Sequence, residues 1–109
     1  MAKLGGAGGA EAAVSTSVDG TGAAIVTLTG ELDISNVDQL RTQLDPVLEQ
    51  APAKLVFDLT GLQFMDSSGI AVLLQVAARI GDVCLRNPTQ IVRRLVASTG
   101  LADALPIEP

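Results

Sequence analysis

The spacing of apolar residues changes several times along this chain, and each change marks a new element. Val14, Thr16 and Val18 alternate with polar neighbours, the period of a half-buried strand. Asp19-Gly20-Thr21-Gly22 then supplies turn chemistry before a second strand at Ala23–Gly30, so the pair predicts a β-hairpin. Gly30-Glu31-Leu32-Asp33 predicts a turn out of the sheet. Val37, Leu40, Leu44, Val47 and Leu48 recur at helical spacing, which predicts a helix near 36–49. Ser35 is its expected N-cap, with Asp38 completing an acidic capping box. Pro46 lacks a backbone donor, so a kink or restart is expected there, with Asp45 capping the second segment.

Ala53–Leu59 is a short, nearly unbroken apolar run, the mark of a central strand covered on its faces. Gly61 is expected to turn the chain, and a helix to follow over 68–80, with Gly81 at its C′ position. Asp82–Arg86 predicts a strand. Asn87-Pro88 predicts an N-cap followed by proline at N1, opening a helix near 88–98 whose buried stripe is Ile91, Leu95 and Val96. Ala104–Ile107 predicts at most a short last strand, limited by Pro106. The order is ββαβαβαβ, an α/β fold with a mixed sheet of four or five strands and about three packed helices. Leu40, Leu44, Leu73, Leu74, Ile91 and Leu95 are the helix residues expected in the core. The Gly/Ala-rich stretch 1–11 predicts a flexible tail before a single domain at 12–109.

At 109 residues a single domain buries about 65% of its unfolded surface, and the hydrophobic fraction of 48% suffices to fill it. The filling is aliphatic, with two Phe and neither Tyr nor Trp, which leaves no stacking platform for bases. A net charge of −5 argues against direct nucleic-acid binding and against attraction to an anionic membrane. Cys84 is the sole cysteine and lies in a strand-like run, so it is expected to be a small core residue. The absence of a membrane-span pattern and of a signal-peptide core predicts a cytoplasmic protein.

Polar chemistry concentrates at Asp66-Ser67-Ser68-Gly69, at the entrance to the helix 68–80. An enzyme nucleophile, a helix cap and a phosphorylation site would each place hydroxyls there. With no histidine in the chain, neither a Ser–His pair nor the usual zinc site can form. Lys54 belongs at the opposite end of its strand from Ser67, and neither a nucleophile elbow nor a phosphate loop is present. No catalytic residue, metal site or cofactor is therefore expected. Asp58, at a strand end, occupies the place of a phospho-accepting aspartate in a receiver domain, but lacks an adjacent acidic pair and is expected to cap the following turn. Asp66, Ser67 and Ser68 all suit a helix N-cap. A cap leaves a phosphorylation role open as well.

Three segments together resemble the STAS domain of bacterial anti-sigma-factor antagonists: Leu28–Asp33, Leu55–Leu74 and Asn87–Leu101. They stand in the family's order and spacing, and Asp-Ser-Ser-Gly is the specific part. The resemblance implies a partner switch: the unphosphorylated protein binds an anti-sigma factor that is also an ATP-dependent serine kinase and frees the sigma factor. Phosphorylation of Ser67 releases the complex, and a phosphatase resets it. It also implies partner contacts at Asp33, Asp66, Ser67, Ser68 and Gly69. The family's final helix would lie beyond Ile107, and its absence would expose an edge or patch and imply weak self-association. An alternative within the same family is an accessory subunit of a lipid-transport ATPase or stress-signalling complex.

Overall fold

The computed structural model describes residues 2–5 and 11–108. Among them, five strands form one mixed sheet in sequential order. They are β1 (Ala2–Gly5), β2 (Glu11–Val18), β3 (Ala24–Leu32), β4 (Leu55–Met65) and β5 (Val83–Arg86). The helices are α1 (Val37–Glu49), α2 (Ser67–Ile80) and α3 (Gln90–Ser98). β1, β2 and β3 pair antiparallel, while β3–β4 and β4–β5 are parallel. The hairpin and the two crossovers are those read from the sequence.

The tail expected at 1–11 requires correction at its start. Ala2–Gly5 is an edge strand paired with Glu11–Val14, and Leu4 is buried in the main core. Composition alone hides this, because pairing to β2 and one buried leucine outweigh the low strand propensity of Gly and Ala. The Gln39 side chain of α1 also bonds both backbone groups of Gly5. The rest of the expected tail, 6–10, lies outside the described residues.

One apolar cluster holds the fold together. Leu55, Phe57 and Leu59 of β4 point into it at alternate positions, and they meet Val26 and Leu28 from β3 and Leu40 and Leu44 from α1. Ile70, Leu73 and Val76 come from α2, and Val92 and Val96 from α3. The opposite sheet face carries a smaller buried row, Ile25, Val56 and Cys84. Cys84 is thus the core residue expected from the sequence, and burial raises its thiol pKa, keeping it protonated and unreactive.

Several local expectations change. Leu40, Leu44 and Leu73 are buried, Leu74 and Leu95 only partly so. Ile91 is exposed, and Val92 takes the inward stripe of α3 together with Val96, which is buried as expected. α3 begins with Thr89 as N-cap, not Asn87; Asn87 has positive φ, and the Thr89 hydroxyl donates to the Leu62 carbonyl at 3.1 Å. α1 runs without a restart through Pro46, which lies on its exposed side. The last strand reduces to a single parallel bridge between Leu85 and Ile107, strengthened by the Arg86–Glu108 ion pair at 2.9 Å.

Neither Gly30 nor Gly61 ends its strand, as the sequence suggested. β3 and β4 continue past both, and the pairing shifts register between Thr27 and Thr29 and again between Gly30 and Glu31. Gly30 has φ of +87° and lies so close to β2 that a Cβ would stand 2.3 Å from the Glu11 carbonyl oxygen. Only glycine fits such an irregularity. The result is a longer parallel pair that ends with Leu32 opposite Met65. The Asp33 and Asp66 loops therefore leave the sheet side by side.

Candidate functional site

The site is the C-terminal edge of β3 and β4, where open α/β sheets place their functional loops. The Asp66 amide donates to the Leu32 carbonyl at 3.1 Å, joining the two loops. Asp66 is the N-cap of α2: its Oδ1 accepts from the Ser68 amide at 2.8 Å and the Gly69 amide at 3.3 Å. The carboxylate satisfies the Ser68 amide and shares the Gly69 amide with the Asp66 carbonyl at 3.1 Å, and its charge complements the positive dipole end. Of the three cap candidates in the sequence, the aspartate takes the role.

Ser67 is thereby left as the first residue of α2, and it is exposed. Ser68 is half-buried. Gly69 is buried, and a Cβ there would meet Met65 Cγ at 2.4 Å, Met65 Sδ at 2.8 Å and Leu32 Cδ2 at 3.1 Å. Its place is under the loop, where it allows α2 to seat on the ends of both strands, and not on the surface where a partner would touch it. The exposed hydroxyl of Ser67, the cap at Asp66 and the neighbouring Asp33 loop are brought together; Gly69 supports them from below.

The second loop is fastened from within. Asp33 Oδ1 accepts from the Ser35 amide at 2.9 Å and the Ser35 hydroxyl at 2.5 Å. Asn36, fully buried, accepts from the Asp33 amide at 3.0 Å and donates to the Glu31 carbonyl at 2.9 Å. Asn36 is also the N-cap of α1, where its side chain makes no capping bond, so the expected Ser35 capping box is replaced by a closed loop. Asn36→Ala is expected to cost about 1–3 kcal/mol, since it empties a fully buried site and leaves the Asp33 amide and the Glu31 carbonyl without their partner; urea unfolding measures it. Asn36 escaped the sequence reading, because Asp33 and Ser35 carry the same turn signals and nothing local shows which side chain turns inward.

Asp58 caps no turn, because β4 runs on through it; its Oδ1 accepts from the Thr60 amide at 3.1 Å and the Thr60 hydroxyl at 2.7 Å within the strand, opposite the register shift between Thr27 and Thr29. Among the described residues no helix is long and apolar enough to cross a membrane.

The chain matches the family model of the STAS domain over residues 13–109. An anti-sigma F factor antagonist of Paenibacillus polymyxa is 35% identical over 91 residues, covering 79% of this chain and 78% of that protein. The crystal structure of an anti-sigma factor antagonist from Mycobacterium paratuberculosis superposes with a TM-score of 0.81 at 25% identity, covering 90% of this chain and 86% of that one. The anti-sigma factor antagonist SpoIIAA in its unphosphorylated form gives a TM-score of 0.74 at 25% identity, covering 89% of each chain. The chain belongs to the STAS domain family, in the branch of the anti-sigma-factor antagonists.

Proposed function

We propose that this protein is the phosphorylatable arm of a partner switch. Unphosphorylated, it binds an anti-sigma factor and displaces the sigma factor; phosphorylated on Ser67, it lets go. The observation that carries the proposal is the exposed Ser67 on the first turn of α2, whose cap is made by a different residue. The hydroxyl can be modified without taking anything from the fold.

The chain supplies the nucleophile only. Its Oγ forms the new bond to phosphorus, the bond from the γ-phosphorus of ATP to the departing ADP oxygen breaks, and the hydroxyl proton passes to a base of the partner kinase. With no histidine of its own, this protein leaves base, nucleotide and magnesium to that kinase. Phosphoserine then adds about 1.5–2 negative charges at pH 7 beside Asp66 and the Asp33 loop. At an interface that excludes water, crowding charge of one sign costs several kcal/mol, on the order of what separates a bound from a free complex. A phosphatase returns the hydroxyl.

The test is direct. Each ATP-binding anti-sigma factor of the source genome is purified and incubated with this protein, ATP and magnesium, and peptides are mapped by mass spectrometry. At least one is expected to place phosphate on Ser67 and to bind the unmodified form more tightly than the modified form. If none labels Ser67, or if modification leaves affinity unchanged, the switch is wrong.

A further inference from the structure

Ile34 stands at the tip of the β3–α1 loop and is 74% exposed, more than any other large hydrophobic side chain among the described residues. Single apolar residues on a surface are ordinary and need no explanation. Ile34 differs in how it is held. The residue before it is fixed through both its amide and its carboxylate, the residue after it through its amide and hydroxyl. Leu32 and Val37, on either side of the loop, are buried. A large β-branched side chain is thus presented to solvent on a backbone with little freedom left to lose. Binding through such a residue avoids most of the ordering cost that a mobile loop would carry.

Its surroundings point to a partner. The loop is bonded to the start of α2 through Leu32 and Asp66, so the site bearing Ser67 is continuous with it. Asp33 and Asp66 place carboxylates on the two adjoining loops, and Glu31, exposed near the end of β3, adds a third beside them. An apolar tip within an acidic setting has the anatomy of an interface centre with a charged rim, and it fits a surface with an apolar pocket edged by Lys or Arg.

From this we infer that Ile34 is the apolar anchor for the anti-sigma factor, seated in a pocket of the same kinase that modifies Ser67. The inference rests on the function proposed above and adds to it a residue that contributes affinity without touching the transferred phosphoryl group. Ser67 carries the signal; Ile34 holds the partner close enough to read it.

The experiment uses the kinase found to label Ser67 in the assay above, with Ile34→Ala, Ile34→Leu and, as control, Val18→Ala. Val18 is 67% exposed but lies at the other end of the sheet, paired with Ala24, which in turn pairs with the first residue of β4. Ile34→Ala should raise Kd at least about tenfold, in the range of an interface hot spot. It should raise KM for phosphorylation by a similar factor while kcat stays within about threefold, the pattern of lost binding common to ground and transition states. Ile34→Leu should recover most of the affinity, and Val18→Ala should match the wild type. Circular dichroism should be unchanged for all three. If Ile34→Ala binds within twofold of wild type while Ser67 is still labelled, the anchor is wrong and the switch stands. A fall in kcat at constant KM would also overturn it. If no kinase labels wild-type Ser67, the partner and its anchor fall together.

Discussion

Ser67→Ala is expected to fold like the wild type, to bind its anti-sigma factor and to accept no phosphate from the kinase that labels the wild type. Three features lead to this result. The side chain is exposed, so no cavity forms. The cap of α2 belongs to Asp66, whose two amide bonds remain. Surface changes away from such features stay within about 0.5 kcal/mol, so thermal unfolding should hardly move. On the proposed function the expected effect is large: a protein that cannot be released, and a sigma factor left free at all times. Ser67→Asp should mimic release only in part, because one charge replaces the roughly 1.5–2 of phosphoserine and lies closer to the backbone. Binding by calorimetry and phosphate counting by mass spectrometry check both variants. Labelling of Ser67→Ala at the wild-type rate would move the acceptor elsewhere, and loss of binding without phosphate would give the hydroxyl a different task.

Gly69→Ala should damage the same site from underneath. Alanine is the better helix former by about 1 kcal/mol in a helix interior, and by propensity alone the change would stabilise α2. Against that, the new methyl would stand 2.4 Å from Met65 Cγ and 3.1 Å from Leu32 Cδ2. Met65 and Leu32 are themselves buried at the ends of β4 and β3, so neither can withdraw into solvent. Overpacking of this kind costs about 1–3 kcal/mol, and against the propensity gain the clash should win by up to about 2 kcal/mol. For a domain of this length that lowers Tm by up to roughly 15 °C. Pushing α2 away from the strand ends also moves Ser67, so phosphorylation should slow beyond what unfolding explains. An unchanged Tm would mean that α2 seats more loosely than its packing indicates.

The main frame was legible because its signals are local and mutually consistent. Alternation in β2, the apolar run of β4 and the glycine closing α2 each point to a single element. The orientation of α3 was legible in part: Val96 was expected in the core and is buried, Leu95 is partly buried, and Ile91 is exposed while Val92 takes the inward place. Period alone does not separate the pair Ile91 and Leu95 from the pair Val92 and Val96. The N-cap of α3, Thr89, is tied to Leu62, a contact between residues far apart in sequence. The same holds for β1 and for the inward turn of Asn36. In the candidate site, Ser67 and its neighbours were visible as a motif, whereas the burial of Gly69 and the exposure of Ile34 follow from packing, which no local pattern encodes.

The capping of α2 by Asp66 bears on the speed of signalling. Under the proposed switch, a phosphoryl group on Ser67 would meet Ser68 and Gly69 amides that this carboxylate already engages. On that reading the message would be written on the exposed first turn of α2 as charge. The duration of each state would then be set by the enzymes that write and erase the mark, and a cell would reset the timing by changing their amounts.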